Sequence, residues 1–218
     1  MPRPVAERSA GFRPVVAGLG GSTRPTSRAL EALRIALDGA ARAGARAVLL
    51  DVRGLSLPIL DAGQTECDHA GVRALLARVR SAHAVIVASP VYNETVSGAV
   101  KNALDHLSVL EEEDPSGLSG RVVGLDSVCG NQPSMGATLA VRTACRALGA
   151  WVLPESVDLG GASFDVDGRL CDVLARDRLR TLGRTVASSA VARRAQDRVG
   201  PAAGAAGHGA ASHTGAQS

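Results

Sequence analysis

Aromatic side chains are scarce, with two Phe, one Tyr and one Trp in 218 residues. A chain this poor in rings must build its core from Ala, Val and Leu. It also lacks the stacking platforms on which single-stranded nucleic acids are bound. A surplus of one charge is missing too. The formal net charge is +3, too small to argue for a nucleic-acid partner, and the arginines behind it are scattered along helical stretches as solvated faces. No apolar run approaches the ~20 residues of a membrane span. The opening "MPRPVAERSAGFRP" has no apolar core of the kind a secretory signal carries. Cys67, Cys129, Cys145 and Cys171 form no C-x-x-C pair, and no histidine lies near two of them. No zinc site is therefore expected, and free thiols in a reducing compartment are the expectation. These absences describe a cytoplasmic protein with no metal, no nucleic acid and no membrane.

What is present is a globular composition, 45% hydrophobic and 21% charged, in a chain long enough for one domain with a proper core. Apolar strand-like runs alternate with helical ones. Strands are expected at 14–20 (PVVAGLG), 45–52, 83–90 (HAVIVASP), 121–128 and 151–159. Helices are expected at 27–43, 72–82, 97–110, 135–148 and 172–193, where apolar residues recur at three- and four-residue steps. Such alternation implies βαβ units and a parallel sheet covered on both faces. The expected fold class is α/β, a flavodoxin-like three-layer, doubly wound sheet of five parallel strands. The order 2-1-3-4-5 follows from the typical fold. The domain is expected over 14–195, between an unstructured extension at 1–13 and a low-complexity tail at 196–218. His208 and His213 fall in that tail and are read as part of a disordered segment.

In a doubly wound sheet, ligands bind beyond the carboxyl ends of the strands, where the strand order reverses. Three loops meet there: GGSTRPTS (20–27), SPVYNETVSG (89–98) and DSVCGNQPSMG (126–136). The first leads from a strand into a helix, so its amides sit at a helix N-terminus, a favourable place for an anion. Ser22, Thr23, Thr26 and Ser27 add hydroxyls, and Arg24 adds a planar charged fork. This describes a cradle for a terminal monophosphate. It matches neither a Walker loop nor a good dinucleotide fingerprint, since Thr23 stands at the third glycine position. The alternative reading has Ser22 and Ser27 only capping the helix and Arg24 solvated. In the second loop Pro90 ends a strand, Tyr92 offers a flat ring with a polar tip, and Asn93 suits a turn. In the third, Ser127, Gly130, Asn131 and Gly136 allow close backbone approach to a planar ligand. Trp151, at the start of a strand, is read as core. His83 and His106 are read as structural, and no acid/base pair emerges.

Two motifs at this separation resemble the NAD(P)H-dependent FMN reductase family of flavodoxin-like fold. Its G-S-x-R-x-x-S motif is Gly21-Ser22-Thr23-Arg24-Pro25-Thr26-Ser27 here. Its P-x-Y-N is Pro90-Val91-Tyr92-Asn93, followed by S-G-x-x-K-N-x-x-D as Ser97 to Asp105. The resemblance covers roughly 14–190. It implies FMN as cofactor, NADPH or NADH as hydride donor, and a homodimer or homotetramer. It also implies that Ser22, Arg24 and Ser27 hold the FMN phosphate. Pro90, Val91, Tyr92, Asn93, Glu94 and Thr95 would run along the isoalloxazine, and Ser127 to Asn131 would close its far side. Lys101, Asn102 and Asp105 are implied to be structural. Ala29 and Glu94 depart from the pattern, which often has Asn and Gly at those positions. A carboxylate at Glu94 would bear on ring access and on the acceptor. The implied activity is flavin reduction, with a flavin-dependent monooxygenase as a candidate partner. One alternative is an FMN-bound quinone or azo reductase. A flavodoxin-type carrier is the other, and it fits poorly with a slightly basic chain.

Overall fold

Strands and helices alternate throughout the residues that the computed structural model describes, 12–61, 68–112 and 117–197. The strands are β1 (Val15–Gly20), β2 (Arg46–Asp51), β3 (Ala84–Tyr92), β4 (Thr95–Val96), β5 (Val122–Val128) and β6 (Trp151–Leu159). The principal helices are α1 (Arg28–Arg42), α2 (Ala70–Arg80), α3 (Gly98–Asp105), α4 (Gly136–Ala147) and α5 (Val173–Asp197). The sheet order is β2-β1-β3-β5-β6, and the short β4 pairs with the end of β3. All pairings along that path are parallel. Setting β4 aside, this is the expected doubly wound order. β3 explains why: every residue from Ala84 to Val91 is buried, as a central parallel strand covered on both faces requires.

Helices α1 and α5 cover one face, where Leu33, Ala36, Leu179 and Val186 pack on Val16 and Ile86. Helices α2, α3 and α4 cover the other, where Leu75, Val79, Leu104 and Val141 pack on Leu19, Val85 and Leu125. Two glycines set the closeness of the first layer. A Cβ on Gly183 would lie 1.8 Å from the Ala36 carbonyl oxygen, and one on Gly39 would lie 2.2 Å from that of Arg180. Any side chain at either position would push α1 and α5 apart. Across the same junction Asp38 accepts from Arg42 at 2.8 Å and from Arg180 at 3.1 Å. Those two guanidiniums hold its carboxyl below the usual range.

Several expectations shift at their edges. The helix expected over 97–110 is α-helical only to Asp105 and continues as a 3-10 helix from His106 to Glu112. The last helix runs on to Asp197. Phe12 and Arg13, expected within the extension, make contacts. Phe12 sits edge-on to the His83 ring, with centroids 4.9 Å apart, and Arg13 donates to the Ala45 carbonyl. Cys67, residues 1–11 and the segment 198–218 with His208 and His213 lie outside the described residues. Trp151 is a correction. It is 61% exposed rather than core, because β6 ends the sheet path, and the Arg193 guanidinium lies 4.4 Å over its ring.

Candidate functional site

The first loop is shaped by a close pass over β3. The Gly21 amide donates to the Ala88 carbonyl at 3.3 Å, and a Cβ on Gly20 would fall 2.1 Å from the same oxygen. Gly21 itself has φ +100°, which a side chain would strain. The chain then turns into α1. The Ser22 hydroxyl accepts from the Arg24 amide and the Ser27 hydroxyl from the Leu30 amide, at 3.3 and 3.2 Å. Ser27 therefore caps α1, whereas the Ser22 contact closes a turn within the loop. Each keeps its own O–H for a ligand, and both line a cavity of about 300 Å³ together with Arg24 and Thr26. At the start of α1 the amides of Arg28 and Ala29 donate to no protein group among the described residues. Hydroxyls, open amides and a guanidinium thus converge on one end of the cavity, a donor set that fits a phosphate monoester.

The second loop is a two-residue hairpin. Tyr92 pairs with Thr95 across it, and Asn93 and Glu94 have φ of +49° and +60°. These are the left-handed positions of a type I′ turn, for which Asn-Gly is the preferred pair. Glu94 thus stands in a conformation that glycine adopts without strain. Its carboxylate accepts from the Ser134 hydroxyl at 2.6 Å, and its carbonyl oxygen would be 1.7 Å from a Cβ on Gly136. Glu94 ties the second loop to the third. Ser89, buried beneath, accepts from the Ser97 amide and donates to the Pro90 carbonyl. Pro90, Val91 and Tyr92 line the cavity, and Tyr92 is 40% exposed. Asn93, Glu94 and Thr95 do not line it.

From the third loop Val128, Cys129 and Gly130 line the cavity. Ser127 does not. It is buried, and its hydroxyl lies 2.7 Å from Asp158 Oδ1 and 3.1 Å from the Ser134 carbonyl. Asn131 also stays outside the cavity, and its carbonyl accepts from the Gly161 amide. The Cys129 amide is engaged by the Leu159 carbonyl. The Gly130 and Asn131 amides donate to no protein group among the described residues. Two residues before Val128 on the same strand, Asp126 is buried with neither oxygen partnered. Burial, and secondarily the charge of Asp158, hold its carboxyl well above the ordinary carboxylate range.

Three contributors escaped the reading of the sequence. Arg28 lines the cavity and lies 5.7 Å over the Phe164 ring. Val166 and Gly168 line it from a turn closed by the Phe164–Leu170 bridge and by the Gly168 amide bonding to the Asp165 carbonyl. Arg28 sits directly after the first motif, which was a usable signal. The turn carried none, because only the fold brings it over the first loop. The motif residues of α3 have structural partners. Asn102 accepts from the Leu60 amide and donates to the Pro58 carbonyl, Lys101 pairs with Asp105, and His106 Nε2 lies 2.9 Å from the Pro58 carbonyl.

A family model described as NADPH-dependent FMN reductase matches residues 14–163. Among solved structures, the chain is similar to FerB, a flavoenzyme NAD(P)H:(acceptor) oxidoreductase from Paracoccus denitrificans, with TM-score 0.66 and 19% identity over 81% of this chain and 97% of that one. It is similar to the apo form of the NADH:FMN oxidoreductase EmoB, with TM-score 0.63 and 17% identity over 81% and 89%. It is also similar to RosB, solved with bound 8-demethyl-8-formylriboflavin-5'-phosphate, with TM-score 0.66 and 16% identity over 93% and 94%. At these identities the structures speak for the fold. The match over most of the chain speaks for more, and the protein belongs to the NADPH-dependent FMN reductase family.

Proposed function

We propose that this NAD(P)H-dependent FMN oxidoreductase holds its flavin in the cavity between the loops after β1, β3 and β5. The observation that carries the reading is their convergence. Arg24, the serine and threonine hydroxyls and the open amides of Arg28 and Ala29 lie at one end, and the Pro90–Tyr92 wall and Gly130 lie at the other. FMN, when bound, accepts a hydride from the nicotinamide and passes electrons on. The protein's part is to bind and orient. Arg24 and the α1 amides anchor the phosphate. Val91 and Tyr92 offer an apolar surface to the ring. The open Gly130 amide, on the cavity lining, would meet negative charge developing on the pyrimidine end of the ring. No side chain of the cavity is needed as a proton donor, in keeping with a site of hydroxyls, amides and arginines.

Glu94 acts through this wall by tying the second loop to the third at Ser134, Asn93 and Thr95 complete its turn, and Ser127 braces the third loop against Ser134 and Asp158. The reading extends to a homodimer or homotetramer located in the cytoplasm. Its domain spans 14–195, and a flavin-dependent monooxygenase takes up the reduced FMN. Among the described residues no helix is long and apolar enough to cross a membrane. A half-exposed Tyr92 leaves the wall open to solvent, which also favours a second acceptor such as a quinone or azo compound reaching bound flavin. Oxidation of NADPH and NADH by the purified chain, followed with added FMN and then with a quinone, separates these. Saturation by free FMN marks a diffusible product, and ping-pong kinetics with the quinone mark bound cofactor. Absence of FMN binding at micromolar concentration would remove the reading altogether.

A further inference from the structure

The strands begin at the opposite end of the sheet. Along β3 the distance from Ala84 to Tyr92 is roughly 26 Å at the usual strand rise. A second cavity, of about 400 Å³, lies at that end, and its lining includes Arg80, His83, Arg121, Arg193, Arg194 and Asp197. Arg121 is committed to the fold, since it donates to the carbonyls of Arg80, Ala82, Gly117 and Ser119.

His83 there has hydrogen bonds that do not balance. Its Nδ1 faces the Val15 amide at 3.1 Å. A backbone N–H can only donate, so Nδ1 accepts, and a neutral imidazole must then carry its proton on Nε2. Yet Nε2 lies 3.0 Å from Arg194 Nη1, which also can only donate. Moving the proton to Nδ1 transfers the conflict to Val15, and a second proton leaves it in place. Burial and the charges of Arg194, Arg121 and Arg46 lower the imidazole's affinity for that second proton. Beside this pair, Arg193 Nε is buried with no acceptor among the described residues. Both arginines are held by rings rather than by carboxylates. Arg194 lies 4.0 Å over Phe12 and Arg193 lies 4.4 Å over Trp151. Two donors therefore meet at the wall of the cavity with nothing to receive them, and Arg193 lines the same cavity.

We propose that this cavity is an oxyanion site separate from the flavin cavity, taking a phosphate group either as the free ion or at the end of a phosphomonoester. An oxygen that bridges His83 Nε2–H and Arg194 from the cavity side satisfies both donors, and the Arg193 guanidinium adds a second positive charge to the lining. A tetrahedral anion offers oxygens in the several directions that these donors come from, and guanidinium forks match it well. Asp197, at the end of α5, limits how much negative charge the cavity tolerates.

The test reads His83 directly in the full-length chain, by its imidazole nitrogen resonances, identified through their loss in His83→Gln. Inorganic phosphate and, separately, AMP are titrated at ionic strength held constant with potassium chloride. The expected result is a saturable shift of Nε2 with a dissociation constant at or below ~1 mM. Arg24→Gln, which disarms the flavin cavity, keeps the shift. Arg194→Gln and Arg193→Gln each weaken it by about tenfold or more, the effect of losing one charge-assisted bond. Equal binding of the two probes identifies the free ion as sufficient, and tighter binding of AMP identifies a phosphomonoester. A His83 signal unmoved by millimolar concentrations of either probe overturns the proposal. So does an equal shift in chloride alone, or a shift lost in Arg24→Gln.

Discussion

The two ends of the sheet use arginine in opposite ways. At the carboxyl end Arg24 is exposed on a loop whose backbone is shaped by Gly20 and Gly21, and Arg28 rests on Phe164. At the amino end Arg121 is buried and bonded to carbonyls, and Arg193 and Arg194 lie flat on Trp151 and Phe12. Three of the chain's four aromatic rings thus carry a guanidinium. Trp151 and Phe12 position charge from outside the buried core, Phe164 does so from within it, and Ala, Val and Leu build most of the rest. The fourth ring, Tyr92, stands at the cavity wall. Arginine on a loop stays available to a ligand, whereas arginine ringed by carbonyls becomes part of the scaffold.

Removing the scaffold arginine breaks this contrast most severely. Arg121→Met leaves a ring of buried carbonyls without donors, and a loss of about 3 kcal/mol is expected in urea denaturation. FMN affinity should stay within about twofold of the wild type, because a strand's length separates the two regions. A comparable loss of FMN binding in the folded variant would show that the ends are coupled.

Asp126 sharpens the comparison from the strand that leads into the first cavity. Its folded-state pKa is raised above the ordinary 3.8 by burial and by Asp158. Below about pH 4 folded and unfolded chains both hold the proton, and stability is insensitive to this group. As pH rises the unfolded chain releases its proton first, so stability falls by up to ~1.4 kcal/mol per pH unit until the folded-state pKa is reached. Asp126→Asn removes that slope. Unfolding curves between about pH 4 and pH 7 should show the variant gaining on the wild type as pH rises, and parallel curves would contradict the assignment. The smallest effect belongs to the tie between loops. Ser134→Ala loses the bond to Glu94 and the contact to the Gly136 amide, with an expected loss of about 1 kcal/mol in thermal denaturation. FMN affinity within about twofold of the wild type is expected there, and a larger fall would place Glu94 in contact with the flavin.

The parts of this picture that could be read from the sequence are those set by local pattern. The unbroken apolar run of β3 and the helical spacing of α1 and α4 announced the parallel sheet. Gly20-Gly21, Ser22, Arg24 and Tyr92 announced the cavity. What could not be read depends on long-range meetings. Phe164 meets Arg28 only because the turn after β6 folds back over the first loop. Trp151 was misjudged because a strand's pattern does not say whether another strand will cover its edge. Glu94, expected to bear on ring access and on the acceptor, has a turn geometry and a partner in the Ser134 hydroxyl that no local pattern announces.

The central claim is that FMN is anchored at the carboxyl end of the sheet by the first loop. It is tested most directly by titrating FMN into the wild type, Arg24→Gln and Arg194→Gln under identical salt, read by flavin fluorescence quenching. The account predicts at least about tenfold weaker binding for Arg24→Gln, the loss of one charge-assisted bond, and wild-type affinity for Arg194→Gln. Unchanged binding in Arg24→Gln, or a matching loss in Arg194→Gln, would contradict it.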